Sequence, residues 1–310
     1  MQAKYNAQTT GSELVQELAD NIRGKVILTT GVSPGGLGAH FVEAVAAANP
    51  SLLILAGRNP TKVQQTADAV AKSHPGVKTR ILQLDLGSLA AVRKAAAEVN
   101  SWDDVPAIDV LVNNAAIMAV DFALSPDGFE SHFATNHLGH FLFTNLIMGK
   151  VLAAKKPRVV SYQGGENYNK WHAYGQSKTA NMLMALSLAE KLGSKGLRAY
   201  SLHPGVIGTH LGDHLEWTGV DGESLRAAER ALGNKEGWSE FQFKTPDQGV
   251  ATHVFAAFHP SLEDHNGAYL QDAHIADPWT ETVRPWATSP IEAEKLWRLS
   301  EKLVGEQFVY

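Results

Sequence analysis

Short runs of consecutive apolar residues alternate with longer amphipathic stretches through most of this 310-residue chain. Lys25–Thr29 (KVILT), Leu52–Ala56 (LLILA) and Ile108–Val112 (IDVLV) are the clearest runs. A strand that is apolar without alternation is buried on both faces, as in a parallel sheet covered by helices. Alternating strand and helix patterns then predict one doubly wound α/β domain with right-handed crossovers. Further strands are expected at Thr79–Leu84, Arg158–Ser161, Leu197–Leu202 and Ala268–Leu270. Helices are expected near Leu37–Ala48, Thr61–Lys72, Ser88–Asn100 (with Ser88 as N-cap), Gly128–Ala154, Ala173–Leu192, residues 246–258 and Ile291–Val304. Residues 1–24 read as an N-terminal extension and 25–310 as the domain. Residues 203–245 and 271–290 read as segments over the carboxyl edge of the sheet, where such folds bind ligands.

Composition removes several alternatives. Lys and Arg number 27 against 32 Asp and Glu, a net charge of −5, which argues against a nucleic-acid groove. The longest apolar run, Ala115–Val120, falls far short of the ~20 residues of a membrane span. The first 25 residues carry Glu13, Glu17 and Asp20 and lack the apolar core of a secretory signal, so a cytoplasmic location is expected. Cysteine is absent, which excludes disulfides, thiolate nucleophiles and Cys-ligated metal sites. Thirteen histidines are scattered without a metal-binding spacing, so no metal is expected.

Between the first strand and first helix stands Thr30-Gly31-Val32-Ser33-Pro34-Gly35-Gly36-Leu37-Gly38. Glycines there permit a tight turn and bring backbone N–H groups up to a pyrophosphate at a helix N-terminus. Gly31, Ser33, Gly36, Leu37 and Gly38 are therefore expected to bind a dinucleotide. The second strand ends in Arg58, where an NAD-specific site carries an acidic residue for the ribose hydroxyl. An arginine suits a 2′-phosphate instead, so NADP(H) is expected over NAD(H). Asp85, in Leu84-Asp85-Leu86 after the third strand, suits the adenine amino group, with Leu86 beside it.

Tyr174 and Lys178 stand four residues apart, one turn along the same helical face. A free tyrosine deprotonates near pH ~10, too high for proton transfer at neutrality. An ammonium one turn away stabilises the tyrosinate and lowers that value.

These motifs together resemble the short-chain dehydrogenase/reductase family, over nearly the whole chain. Thr30–Gly38 is similar to its TGxxxGxG loop, with one extra residue between Gly31 and Gly36. Asn113-Asn114-Ala115-Ala116 is similar to its NNAG motif, with alanine for the last glycine. Within the family, NHLGHF, YGQSKTAN and HPG resemble the retinol-dehydrogenase and WW-domain-oxidoreductase branch, and the glycine loop and the C-terminal ATSPIEAEKLW a fungal subgroup of it. The resemblance implies a Rossmann fold and hydride exchange between a nicotinamide and a carbonyl or alcohol. It implies that Asn114, Ala115 and Ala116 flank the cofactor. Asn136 would kink a helix and hold a relay water, Tyr174 and Lys178 would form the catalytic pair, and Lys178 would also hold the ribose hydroxyls. Pro204, Gly205, Val206 and Thr209, in a PGxxxT-like segment, would face the carboxamide. Family members often dimerise through the helices holding Asn136 and Tyr174, so a homodimer is one option.

The family also places a serine after the fifth strand to bond the substrate oxygen. Counted back from Tyr174, Ser161 has a spacing common in the family; counted from the strand start, that position holds Gly164. Either Ser161 serves through a shortened loop, or the site lacks its serine. In the second case a cofactor sensor, or a non-redox cyclase or isomerase using Tyr174, competes with the oxidoreductase reading. Trp217, Trp238, Trp279 and Trp286 all lie past residue 200, which favours an apolar small-molecule substrate.

Overall fold

The computed structural model describes residues 4–162, 169–231, 242–281 and 283–310. Ten strands form among the described residues: β1 (Val26–Thr30), β2 (Leu52–Gly57), β3 (Thr79–Gln83), β4 (Val110–Asn113), β5 (Arg158–Tyr162), β6 (Arg198–His203), β7 (Val206–Ile207), β8 (Phe243–Lys244), β9 (Tyr269–Gln271) and β10 (His274–Ile275). Eight make one sheet in the order β3-β2-β1-β4-β5-β6-β9-β10, parallel except for the last pair. β7 and β8 form a separate two-stranded ribbon. The order reverses between β1 and β4, and a crevice opens at such a switch point beyond the strands' carboxyl ends.

Consecutive strand residues feed opposite faces. Ile27, Leu53, Val110 and Val160 join one apolar cluster; Leu28, Ile54, Leu111 and Val159 join another. That is the physical content of the unbroken apolar runs, since each buried Ile, Val or Leu contributes about 1.5–3 kcal/mol. The first face is covered by α1 (Gly11–Glu17), α2 (Ala19–Ile22), α3 (Leu37–Ala46) and α4 (Pro60–Ser73). The second is covered by α5 (Leu89–Asn100), α6 (Gly139–Leu146), α7 (Met148–Leu152) and α8 (Lys170–Leu192). α9 (Val220–Ala231) packs against α8, α10 (Pro246–Phe258) joins the first face, and α11 (Pro290–Val304) joins the second. No helix among the described residues is long and apolar enough to cross a membrane.

Several local signals act as expected. Ser88 caps α5 by accepting from Ala91 N at 3.3 Å. Pro60 follows the cap Asn59 at the start of α4. The segment read as an extension is packed rather than loose: Thr10 and Glu13 form a capping box, and Leu14, Val15, Leu18 and Ile22 are buried against α3 and α10. The stretch read as largely helical, Gly128–Ala154, is divided. A π-turn, Phe133–Leu138, runs into α6, and a break at Ile147 precedes α7. The π-turn is held by side chains, as the site shows. Of Trp217, Trp238, Trp279 and Trp286, Trp279 and Trp286 are 93% and 55% exposed, and Trp238 lies outside the described residues. Trp217 packs against Trp171, ring centroids 5.7 Å apart, beside Met118, Leu215 and Leu225.

Candidate active site

A cavity of about 410 Å³ runs along the carboxyl ends of β1 to β4. Gly31, Ser33, Gly36 and Leu37 line it from the glycine loop, Arg58 from the end of β2, and Asp85 and Leu86 from beyond β3. Asn114, Ala115 and Ala116 line it after β4, and Pro204 and Thr209 close the far end. Gly38 lies beneath the loop instead: a Cβ on it would stand 2.5 Å from Gly31 O and 2.6 Å from Asn114 Nδ2. Gly31 adopts φ +73°, and its own Cβ would meet Ala115 Cα at 2.6 Å. The loop and the segment after β4 thus approach backbone to backbone, with no room for a side chain at Gly31. Gly205 and Val206 do not line the cavity; Gly205 (φ +96°) packs under Lys244 and Val206 pairs with Phe243 in the ribbon. One Asp85 carboxylate oxygen accepts from Gly87 N at 3.0 Å.

Thr30 is the hub of this cradle. Its Oγ1 accepts from Asn114 N and Ala115 N, both at 3.0 Å, and lies 3.0 Å from His140 Nε2. His140 Nδ1 lies 3.1 Å from the Asn136 carbonyl, which can only accept. Burial pushes His140 down to about 3, so the ring is neutral. Nδ1 therefore carries the proton, and Nε2 accepts from the Thr30 hydroxyl.

Asn136 sits in the π-turn, and its side chain is fully engaged. Oδ1 accepts from Ile117 N at 2.8 Å, while Nδ2 donates to Ile117 O and to Ser177 Oγ, both at 2.9 Å. Ser177 Oγ donates in turn to Tyr174 O at 2.6 Å. These bonds hold a helical turn that is otherwise unfavourable and that recurs at functional sites. Asn136 thereby joins Ile117, a cavity wall, to the helix that carries Tyr174.

Lys178 is fully buried, its Nζ 5.6 Å from the centre of the Tyr174 ring. Burial pushes its ammonium well below the ordinary lysine range. His132 meets the Tyr174 ring edge-on at 6.3 Å, and Glu130 Oε1 lies 2.7 Å from His132 Nδ1. Burial disfavours the Glu130 carboxylate, but bonds from His132 and from the His132 and Phe133 amides outweigh it and hold the pKa low. Tyr174, Lys178 and Asn136 are thus brought together next to the cavity without lining it. The backbone of Ser161 pairs with Asn113 and Ser201 on β5, but its side chain, like Gly164, lies outside the described residues. Sequence reading missed His140 and Ser177. His140 stands four residues after Asn136 and Ser177 three after Tyr174, spacings that share a helical face and could have found them.

A doubly wound sheet, a glycine cradle at its switch point and a Tyr–Lys pair beside it define an α/β protein of the dinucleotide-binding type. The family model for short chain dehydrogenase matches residues 25–218. Short-chain dehydrogenase TIC 32 A, chloroplastic, from Brassica napus is 33% identical, covering 97% of this chain and 94% of that one. Short-chain dehydrogenase/reductase prx1 from Penicillium rubens is 36% identical (92% and 86% covered), and human retinol dehydrogenase 14 is 31% identical (92% and 87%). The chain belongs to the short-chain dehydrogenase family of oxidoreductases, and is retinol-dehydrogenase-like.

Proposed function

We propose that this protein is an NADP(H)-dependent oxidoreductase that interconverts a carbonyl and an alcohol on an apolar small molecule, with Tyr174 as general acid/base. The observation that carries the reading is the buried Lys178 under the Tyr174 ring, joined through Ser177 and Asn136 to the wall of the glycine-cradled cavity. A nicotinamide dinucleotide, when bound, supplies or accepts the hydride. The cradle fits such a group: Gly31 and Gly38 pack so closely on neighbouring backbone and Asn114 that no Cβ fits, which keeps the loop tight at the start of α3, and Ser33, Gly36 and Leu37 face the cavity.

The residues divide the remaining work. The amides of Ser33, Gly36 and Leu37 bind the diphosphate at the start of α3. Asp85 takes the adenine end and Thr209 the carboxamide end. Tyr174 gives its proton to a carbonyl oxygen during reduction and takes it back during oxidation. Lys178, a cation that burial disfavours, is stabilised by the negative charge that Tyr174 carries once the proton has left. Asn136 and Ser177 fix the register of the two helices on which this depends. Met118, Trp171, Leu215 and Trp217 offer an apolar surface to the rest of the substrate. The test is oxidation of NADPH by a panel of apolar ketones and aldehydes; NADPH binding with no turnover across the panel would leave the sensor reading and the non-redox cyclase or isomerase reading. The expected compartment is the cytoplasm; one relative is named chloroplastic, so cell fractionation is the relevant check.

Cofactor choice gives a separate prediction. Arg58 and Lys62 both line one end of the cavity, and neither has an ion-pair partner among the described residues. A charge-assisted bond contributes about 1.5–3 kcal/mol, so NADPH should bind roughly ten- to a hundredfold more tightly than NADH. Arg58→Asp should reverse the order, since the carboxylate repels the phosphate and accepts from the ribose hydroxyl. Equal affinities of the native protein for the two dinucleotides in titration calorimetry would sink the assignment.

A further inference from the structure

The glycine loop carries one residue more than the pattern it resembles, and that region meets a side chain from the other wall of the cavity. Gly35 adopts φ +74°, and a Cβ built on it would stand 2.6 Å from His210 Nε2 and 2.7 Å from His210 Cδ2. The imidazole therefore lies edge-on against the loop backbone, in space that only glycine leaves open. His210 begins a short 3₁₀ turn, His210–Gly212, directly after Thr209. Its Nδ1 lies 2.7 Å from Asp213 Oδ2, which orients the ring and leaves Nε2 toward Gly35. His210 and Leu211 line the same cavity as the loop.

We propose that His210 is a diphosphate-binding residue, a clamp laid across the glycine loop by the turn after Thr209. The proposal rests on the reading that the cavity takes a dinucleotide. The charge distribution around the cavity supports it. Among the described lining residues the ionisable ones are Arg58, Lys62, Asp85, His210 and His253. Arg58 and Lys62 stand at the β2 end. His253 is buried and held neutral, pushed down to about 4 by that burial. The loop from Ser33 to Leu37 has no charge of its own. His210 alone among them can put a positive charge beside those backbone amides. As an imidazolium it donates Nδ1–H to Asp213 and Nε2–H to a diphosphate oxygen. The ring is 74% exposed, so removing it leaves the core untouched.

The diphosphate is common to NADPH and NADH, whereas the 2′-phosphate is not, and this separates His210 from Arg58. Titration calorimetry of the full chain with NADPH, NADH, ADP-ribose and adenosine 2′,5′-bisphosphate makes the comparison. His210→Ala should raise the Kd of NADPH, NADH and ADP-ribose alike, by about tenfold, with the NADPH/NADH ratio unchanged. Adenosine 2′,5′-bisphosphate, which has no diphosphate bridge, should bind within about twofold of wild type. His210→Gln, which restores a donor at similar reach, should recover part of the loss. Unchanged Kd values, or a loss confined to NADPH, overturn the clamp while leaving the dinucleotide site standing. A wild-type protein that binds neither dinucleotide overturns both.

Discussion

Tyr174→Phe is expected to keep the fold and dinucleotide binding and to lower kcat by about 10²-fold or more. The change removes one hydroxyl from a half-buried ring whose backbone position is set by Ser177 and whose face is set by Lys178 and His132. Lys178→Met should weaken both binding and turnover, because the same group serves the ribose and the tyrosinate. Full activity of Tyr174→Phe in steady-state assays would mean that the proton donor lies elsewhere. The same assays decide between the two readings of Ser161. A hydroxyl that stabilises charge on the substrate oxygen is worth about 10²–10³ in rate, so Ser161→Ala should lower kcat by that factor with KM little changed. A Ser161 without that role should leave the rate alone, and the native enzyme should then be slow.

A second large effect is expected from acid. His137, His140 and His253 are each at most 4% exposed, and burial pushes them down to about 4, about 3 and about 4. In the unfolded chain they titrate near the ordinary value of 6.5. Between these values the unfolded state binds protons that the native state refuses, so stability falls as pH falls. From about pH 7 to about pH 5.5 each histidine removes about 1.2 kcal/mol, together about 4 kcal/mol, a large share of an ordinary domain's stability. Above pH ~7 the same groups should contribute almost no dependence, since both states are then neutral. Urea unfolding at the two pH values measures the difference; equal midpoints and slopes would mean that these rings are charged in the native state or already protected in the unfolded one.

The sheet was readable in the chain because its strands are buried on both faces. Leu52–Ala56 must be apolar at every position, and no other element of five residues needs that. Helix ends with a chemical signal were equally legible, as at Ser88. The π-turn left no sign in the hydrophobic spacing, which follows the 3.6-residue period; only the family resemblance at Asn136 implied a kink there. The extra residue around Asn136 is held by polar bonds to Ile117 and Ser177, which leave no trace in an apolar pattern. The glycine motif located the cradle but not the duties within it: Gly31 approaches Ala115, Gly38 supports the loop from below, and Gly205 belongs to a turn under Lys244. Trp279 and Trp286 were not placed by the sequence, because an aromatic residue in an irregular segment has no periodicity to say which way it faces.

α11 bears on how two copies of this chain could meet. Its buried residues Ala293, Trp297, Ser300 and Val304 form one stripe against α8 and the π-turn. Trp297 packs edge-on to Phe141 at 4.9 Å, and Ser300 Oγ lies 2.8 Å from His137 Nε2, next in sequence to Asn136. Tyr310 reaches Asn145 on α6. The face that α6 and α8 turn toward α11 is therefore already spent within one molecule. A symmetric pairing across that face would first have to displace α11, whose 15 residues run about 22 Å. Association through the α11-facing side of these helices would therefore require α11 to leave, whereas association through another side would not.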